Sequence, residues 1–322
     1  MSVKIKRVVL ALFLSVFLFF PTAILAHAYS NILAFGDSLS DNGVYKDYPI
    51  IGGGTPGNNN TLDTYGFQRY SNGPVWVEYL AGPTLFNAPL LDMAYGGATS
   101  GWDDPAASKK TGIPIFDTTR GLQWQVATYG SVFHTITPTT LVTVWAGGND
   151  MFQYFSPDTV QAGLNRALGL YDPNKAADNI ELAIQNLIAI GGREFIVPNL
   201  NYTDTDPFKP WKQPFDIELA LDLAFLKATY PETDIYALDM NGFVPTGVID
   251  LFGPGTFLNP IDGPGPYAWW DAVGVHPTTE VHAQIADLAA AATEVPEPAT
   301  MLLLGFGLIG LAGYGRRKLF KK

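Results

Sequence analysis

"NILAFGDSLSDNG", residues 31–43, sets an apolar run directly against Gly-Asp-Ser and then a cluster of small polar residues. The run at 31–35 has the length and composition of a buried strand, and Gly36 stops it. Gly, Asp, Ser and Asn are ordinary turn formers, so a surface turn accounts for the composition. A second reading is a serine held at the end of a buried strand, where open α/β sheets collect their chemistry. The rest of the chain decides between them.

The pattern recurs. Residues 141–145, "LVTVW", are a β-branched apolar run that ends at Ala146, Gly147, Gly148, Asn149 and Asp150. Short apolar runs also stand at 195–197, stopped by Pro198, and at 234–238. Helical patterns separate them. Residues 74–81 begin with proline, which suits a first helical turn. Residues 175–190 carry apolar side chains at 180, 183, 184, 187 and 188, a helical stripe closed by Gly191 and Gly192. Residues 214–229 and 281–293 read as further amphipathic helices. Short apolar strands without alternation, each followed by a helix, predict a parallel sheet covered on both faces: an α/β fold. Residues 49–73, rich in Gly, Asn and Pro, predict irregular loop.

Both ends of the 322-residue chain read as addresses rather than fold. Lys4, Lys6 and Arg7 precede an apolar stretch at 8–20, then Pro21 and the small triplet Ala26, His27, Ala28. That is the layout of a secretory signal peptide over residues 1–28, cut after Ala28; an uncleaved anchor is the alternative. At the other end, Val295, Pro296, Glu297 and Pro298 form a stiff break. An apolar stretch at 299–314 follows, then Arg316, Arg317, Lys318, Lys321 and Lys322. Sixteen apolar residues fall just short of a usual membrane span, and the basic cluster would stay cytoplasmic.

Eight of the nineteen Lys and Arg lie in residues 1–28 and 299–322 and none of the thirty Asp and Glu do, which leaves residues 29–298 with a net charge of −19. Such a body lacks the basic footprint of a nucleic-acid binder. The chain has no cysteine, so disulfides, thiol chemistry and Cys-ligated metals are excluded. The roughly 270 remaining residues suffice for one large domain.

A serine hydroxyl is a poor nucleophile until a histidine takes its proton, and an acid usually orients that histidine. Outside the signal segment there are three histidines: His134, His276 and His282. His134 lies in the apolar setting "SVFHTIT" and reads as structural; His282 falls inside the last helical pattern and reads as surface or packing. His276 precedes Pro277, which favours an extended loop just ahead of that helix and suits a base on the rim of a sheet. None of the three has metal-ligand spacing, and the chemistry requires neither metal nor organic cofactor.

Five blocks now stand in order: Phe35 to Gly43 (FGDSLSDNG), Ser71 to Trp76 (SNGPVW), Ala94 to Thr99 (AYGGAT), Gly147 to Asp150 (GGND), and His276 to Thr278 (HPT). Together they resemble the ordered blocks of the GDSL (SGNH) hydrolases, closest to the lipase/esterase branch, over residues 29–293. The resemblance implies a three-layer α/β/α fold with a mostly parallel, flavodoxin-like sheet. It implies Ser38 as nucleophile and His276 as base. It implies an oxyanion hole made by the N–H of Ser38, the N–H of Gly97 and the side-chain amide of Asn149. Of Gly96 and Gly97 the second is preferred, because Ala-Thr follows it. One departure stands out. The family's acid normally lies three residues before the histidine, where this chain has Val273; the nearest acid is Asp271, five residues before, with Asp262 as an alternative. Asp37 and Asp41 read as scaffold that ties up loop N–H groups.

The C-terminal segment, 294–322, resembles a PEP-CTERM sorting signal. That implies recognition by an exosortase-type enzyme and export to a bacterial surface or matrix, with a transient membrane anchor at 299–314. The expected partner is a small-molecule, lipid or glycan ester, with no nucleic acid. Trp102, Trp124, Trp145, Trp269 and Trp270 would line an acyl pocket or a sugar platform, or belong to the core. The rival readings are a polysaccharide O-acetyl esterase and a non-catalytic surface protein that keeps the fold.

Overall fold

The computed structural model describes residues 29–43, 69–102, 120–155, 167–202, 204, 206–247 and 275–293. The predicted signal peptide, most of the 49–73 loop, Asp262, Asp271, Trp269, Trp270 and the segment 294–322 lie outside these residues.

Strands β1 (Asn31–Gly36), β2 (Leu90–Asp92), β3 (Thr140–Trp145), β4 (Glu194–Pro198) and β5 (Asp234–Leu238) pair in the order β2-β1-β3-β4-β5. Every pairing is parallel, with Gly36 opposite Trp145 at the carboxyl ends of β1 and β3. This is the flavodoxin-like order, whose switch point falls between β1 and β3. The segments that follow those two strands are the ones singled out from sequence.

Successive side chains of a strand point to opposite faces, and here both faces are apolar. Leu33, Phe35, Val142, Val144, Phe195 and Val197 pack under helices α2 (Leu122–Phe133), α4 (Pro173–Ala189) and α5 (Lys209–Thr229). Ile32, Ala34, Leu141, Trp145 and Ile196 pack under α1 (Trp76–Ala81) and α6 (Thr279–Thr293). The short α3 (Gly148–Phe155) starts immediately after β3. Each large apolar side chain so buried contributes about 1.5–3 kcal/mol. The fold is therefore the three-layer α/β/α arrangement, and strands clothed on both sides explain why their sequences do not alternate.

The elements differ from expectation in instructive places. Helix α5 starts at Lys209, five residues before the predicted position, and carries Pro214 inside it. An interior proline removes a helical hydrogen bond and usually ends a helix. Here Trp211 and Phe215, both buried, stack at 5.3 Å and hold the turn closed around it. Strand β2 and helix α2 were not anticipated: β2 has only three residues, and α2 mixes Gly, Ser and Gln into its apolar pattern. Among the described residues no helix is long and apolar enough to cross a membrane.

Candidate active site

Strand β1 ends where it does because of a backbone contact. A Cβ on Gly36 would lie 2.2 Å from the carbonyl oxygen of Trp145, so only glycine lets β1 approach β3 this closely, at φ 148°. The Gln125 side chain completes the strand end: its Oε1 accepts the Gly36 N–H at 2.9 Å and its Nε2 donates to the Gly36 carbonyl at 2.8 Å. The chain then makes one tight turn, with the N–H groups of Ser40 and Asp41 donating to the Asp37 carbonyl. Ser38 stands in this turn, 7% exposed.

Carboxylates organise the surroundings, as expected for Asp37 and Asp41. Asp37 Oδ1 accepts the Leu39 N–H at 3.0 Å. Asp41 accepts the N–H of Gly43 at 2.8 Å and of Gly96 at 2.7 Å, tying the Ser38 loop to the loop after β2. Asp92, at the end of β2, accepts from Asn42 and Ala94. Burial pushes the Asp37 carboxyl up to about 6, an effect that the Leu39 N–H and the nearby His276 partly offset. Burial and the Asp41 charge push Asp92 well up.

His276, half-buried, brings its Nε2 to 2.8 Å from Ser38 Oγ across 238 residues of sequence. The imidazole stacks on Tyr70, ring centroids 5.1 Å apart. Its segment is clamped by the Ser71-Asn72-Gly73 block. Ser71 Oγ donates to the Pro277 carbonyl at 2.9 Å, Asn72 Oδ1 accepts the Thr279 N–H at 2.9 Å, and Thr279 Oγ1 donates to the Pro74 carbonyl. That block was quoted from sequence without a role; its role is to seat the histidine.

Gly97 is the third residue of a turn closed by Ala98 N–H donating to the Tyr95 carbonyl, at φ 95°. A positive φ at that place favours glycine. Its neighbour's N–H is committed to Asp41, whereas among the described residues neither Gly97 N–H nor Ser38 N–H has an acceptor. Gly96 serves differently: a Cβ there would lie 2.2 Å from the Tyr70 ring. Asn149, at the start of α3, donates from Nδ2 to the Ala98 carbonyl at 3.0 Å, beside Gly97. Asp150 fixes the same loop by accepting from Ser100 N–H and Oγ, both at 2.8 Å.

The remaining expectations divide. Asp271 lies outside the described residues. His134 is structural, as expected, though exposed: it caps α2 at φ 62° and meets the Gly130 carbonyl through Nδ1 at 3.0 Å. Trp145 is core, edge-on to Trp76 at 5.7 Å, while Trp102 is 58% exposed. Tyr70 and Gln125 were not picked out from sequence, because neither stands in a motif, and Asn72 was picked out only as part of the Ser71–Trp76 block.

A family model described as GDSL-like Lipase/Acylhydrolase matches residues 32–289, and a PEP-CTERM protein-sorting motif matches residues 294–318. A phosphatidylcholine-sterol acyltransferase of Aeromonas hydrophila is 31% identical over 175 residues, 54% of this chain; the match spans 45% of that protein's length. Among solved structures, an acetylxylan esterase from Geobacillus stearothermophilus is 13% identical, covering 82% of this chain and 93% of its own, with a TM-score of 0.45. The M. smegmatis aryl esterase is 18% identical, covering 81% and 95%, with a TM-score of 0.41. The chain belongs to the GDSL-like lipase/acylhydrolase family, a family of ester-hydrolysing enzymes.

Proposed function

We propose that this chain is an exported serine esterase that works through an acyl-enzyme on Ser38. His276 Nε2 takes the Ser38 proton as Oγ attacks the ester carbonyl. The oxyanion then rests on the N–H groups of Ser38 and Gly97 and on the Asn149 amide. His276 next protonates the leaving alcohol, and in the second half-reaction it deprotonates the water that releases the acid. Asp271 is the acid proposed to hold Nδ1, since Nε2 faces the serine. The observation that carries this reading is the 2.8 Å contact between His276 Nε2 and Ser38 Oγ. The N–H groups of Ser38 and Gly97, in the loops after β1 and β2 and without acceptors among the described residues, support it.

The experiment is Ser38→Ala assayed on p-nitrophenyl acetate and butyrate. A loss of about 10⁴-fold or more in kcat is expected, because nucleophile and base act as a unit. Retained turnover in the folded variant would refute the mechanism.

The proposed substrate is a lipid or short acyl ester, a class to which the acyltransferase relative is allied by its name. The sorting motif favours a second reading, O-deacetylation of a surface polysaccharide. An acyl-chain series run beside an acetylated glycan separates them. Removal of residues 1–28 and exosortase-type processing of 294–322 are part of the same proposal.

A further inference from the structure

The α4 and α5 helices pack against each other, and the seam between them carries carboxylates that the esterase chemistry does not use. Asp178 on α4 and Glu218 and Asp222 on α5 each offer an oxygen, and these atoms all lie within 4.8 Å of one another. Glu218 and Asp222 are four residues apart, so they share one helix face. Asp222 is 9% exposed, and its Oδ2 is buried without a hydrogen-bond partner among the described residues. Glu181 on α4 adds a fourth negative charge while accepting from Gln185 at 2.8 Å. The nearby cation is Lys175, whose Nζ is 3.9 Å from Asp178, with both side chains about half exposed. Among the described residues no cation pairs with Glu218 or Asp222.

Like charges at this spacing repel, and burying one of them adds a desolvation cost. Burial first, and then Glu181, Glu218 and Asp178, push the Asp222 carboxyl up to about 7. A divalent cation would turn each of these unfavourable contacts into a favourable one. The donors are all carboxylate oxygens, the set chosen by hard cations. Calcium holds oxygen at roughly 2.3–2.6 Å in irregular geometry, so two ligands across one ion stand up to about 5 Å apart. Magnesium at roughly 2.1 Å spans only about 4.2 Å and demands an octahedron. Oxygens lying within 4.8 Å of one another are spanned by the larger ion without rearrangement. We propose that Asp178, Glu218 and Asp222 form a calcium site that clamps α4 to α5. Water would complete the coordination, and an affinity of about 10⁻⁴–10⁻³ M, usual for extracellular modules, would suit an exported chain.

The test is thermal unfolding of the full chain in EDTA, in about 10 mM CaCl2, and in MgCl2 and NaCl of matched ionic strength. Calcium should raise Tm by about 3 °C or more over EDTA, given mass action and the usual Tm response of a domain this size. Asp222→Asn should abolish the rise, and Glu218→Gln, which leaves the buried oxygen in place, should reduce it. An unmoved wild-type Tm overturns the proposal, as does an equal rise in MgCl2 or NaCl. So does a full calcium response in either variant.

Discussion

At the scale of single residues, the candidate oxyanion donors differ in how they are held. Asn149 keeps one amide hydrogen on the Ala98 carbonyl and has a second to offer, since a primary amide carries two. Asn149→Ala should therefore lower kcat by about 10²–10³-fold with little change in KM, the usual loss for one oxyanion donor. Steady-state kinetics on p-nitrophenyl butyrate, with circular dichroism to verify the fold, checks this. Gly96 tests the packing instead. A methyl group there meets the Tyr70 ring, and Tyr70 stacks on His276. Gly96→Ala should depress kcat through the displaced ring while Ser38 and Asn149 remain unaltered, and Tyr70→Ala in the same background should recover part of the loss.

At the scale of elements, the proposed base, His276, is carried by a segment that belongs to no strand. Three hydrogen bonds between residues 71–74 and residues 277–279 fix it, and one of them, from the Thr279 N–H to Asn72 Oδ1, also caps the start of α6. Removing a cap of this kind costs about 1 kcal/mol. Asn72→Ala should lower both Tm and kcat, whereas Asn72→Asp keeps an acceptor at a helix N-terminus and should retain more of each. Parallel melting and kinetic measurements on the two variants decide the point. Equal loss of kcat in both would show that the cap does not seat the histidine.

At the scale of the whole molecule, pH divides the buried groups into two sets. His282 is fully buried on α6, its ring nitrogens have no hydrogen-bond partner among the described residues, and burial lowers its pKa from 6.5 to about 3. Between those values the unfolded chain binds a proton there and the folded chain does not. Stability from this site is thus complete above pH 6.5 and is lost as pH falls toward 3, by up to about 1.4 kcal/mol per pH unit. Burial acts oppositely on the carboxyls of Asp37 and Asp216, each raised to about 6, and of Asp222, raised to about 7. Those sites favour the folded state as pH falls. His282→Leu removes one member of the first set. Urea unfolding from pH 7 to pH 4 should show a smaller loss of stability for the variant than for the wild type. An identical pH dependence would mean that His282 takes up its proton alike in the folded and unfolded chains.

Sequence alone determined the things that local chemistry dictates. Apolar runs without alternation implied a parallel sheet clothed on both faces, and glycines beside Ser38 and Asn149 marked the strand ends where a site forms. Loss of regular pattern hid β2, which is too short for any period to register, and Pro214 masked the first turn of α5, which buried Trp211 and Phe215 hold together. What only the tertiary structure decided is which distant groups meet. His276 reaches Ser38 across 238 residues, Asn72 meets Thr279 across 207 residues, and Asp178 faces Asp222 across a helix seam. The physical reason is that a hydrogen bond or a charge contact acts over about 3–5 Å of space, and separation along the chain carries no information about that distance until the sheet order brings the loops together.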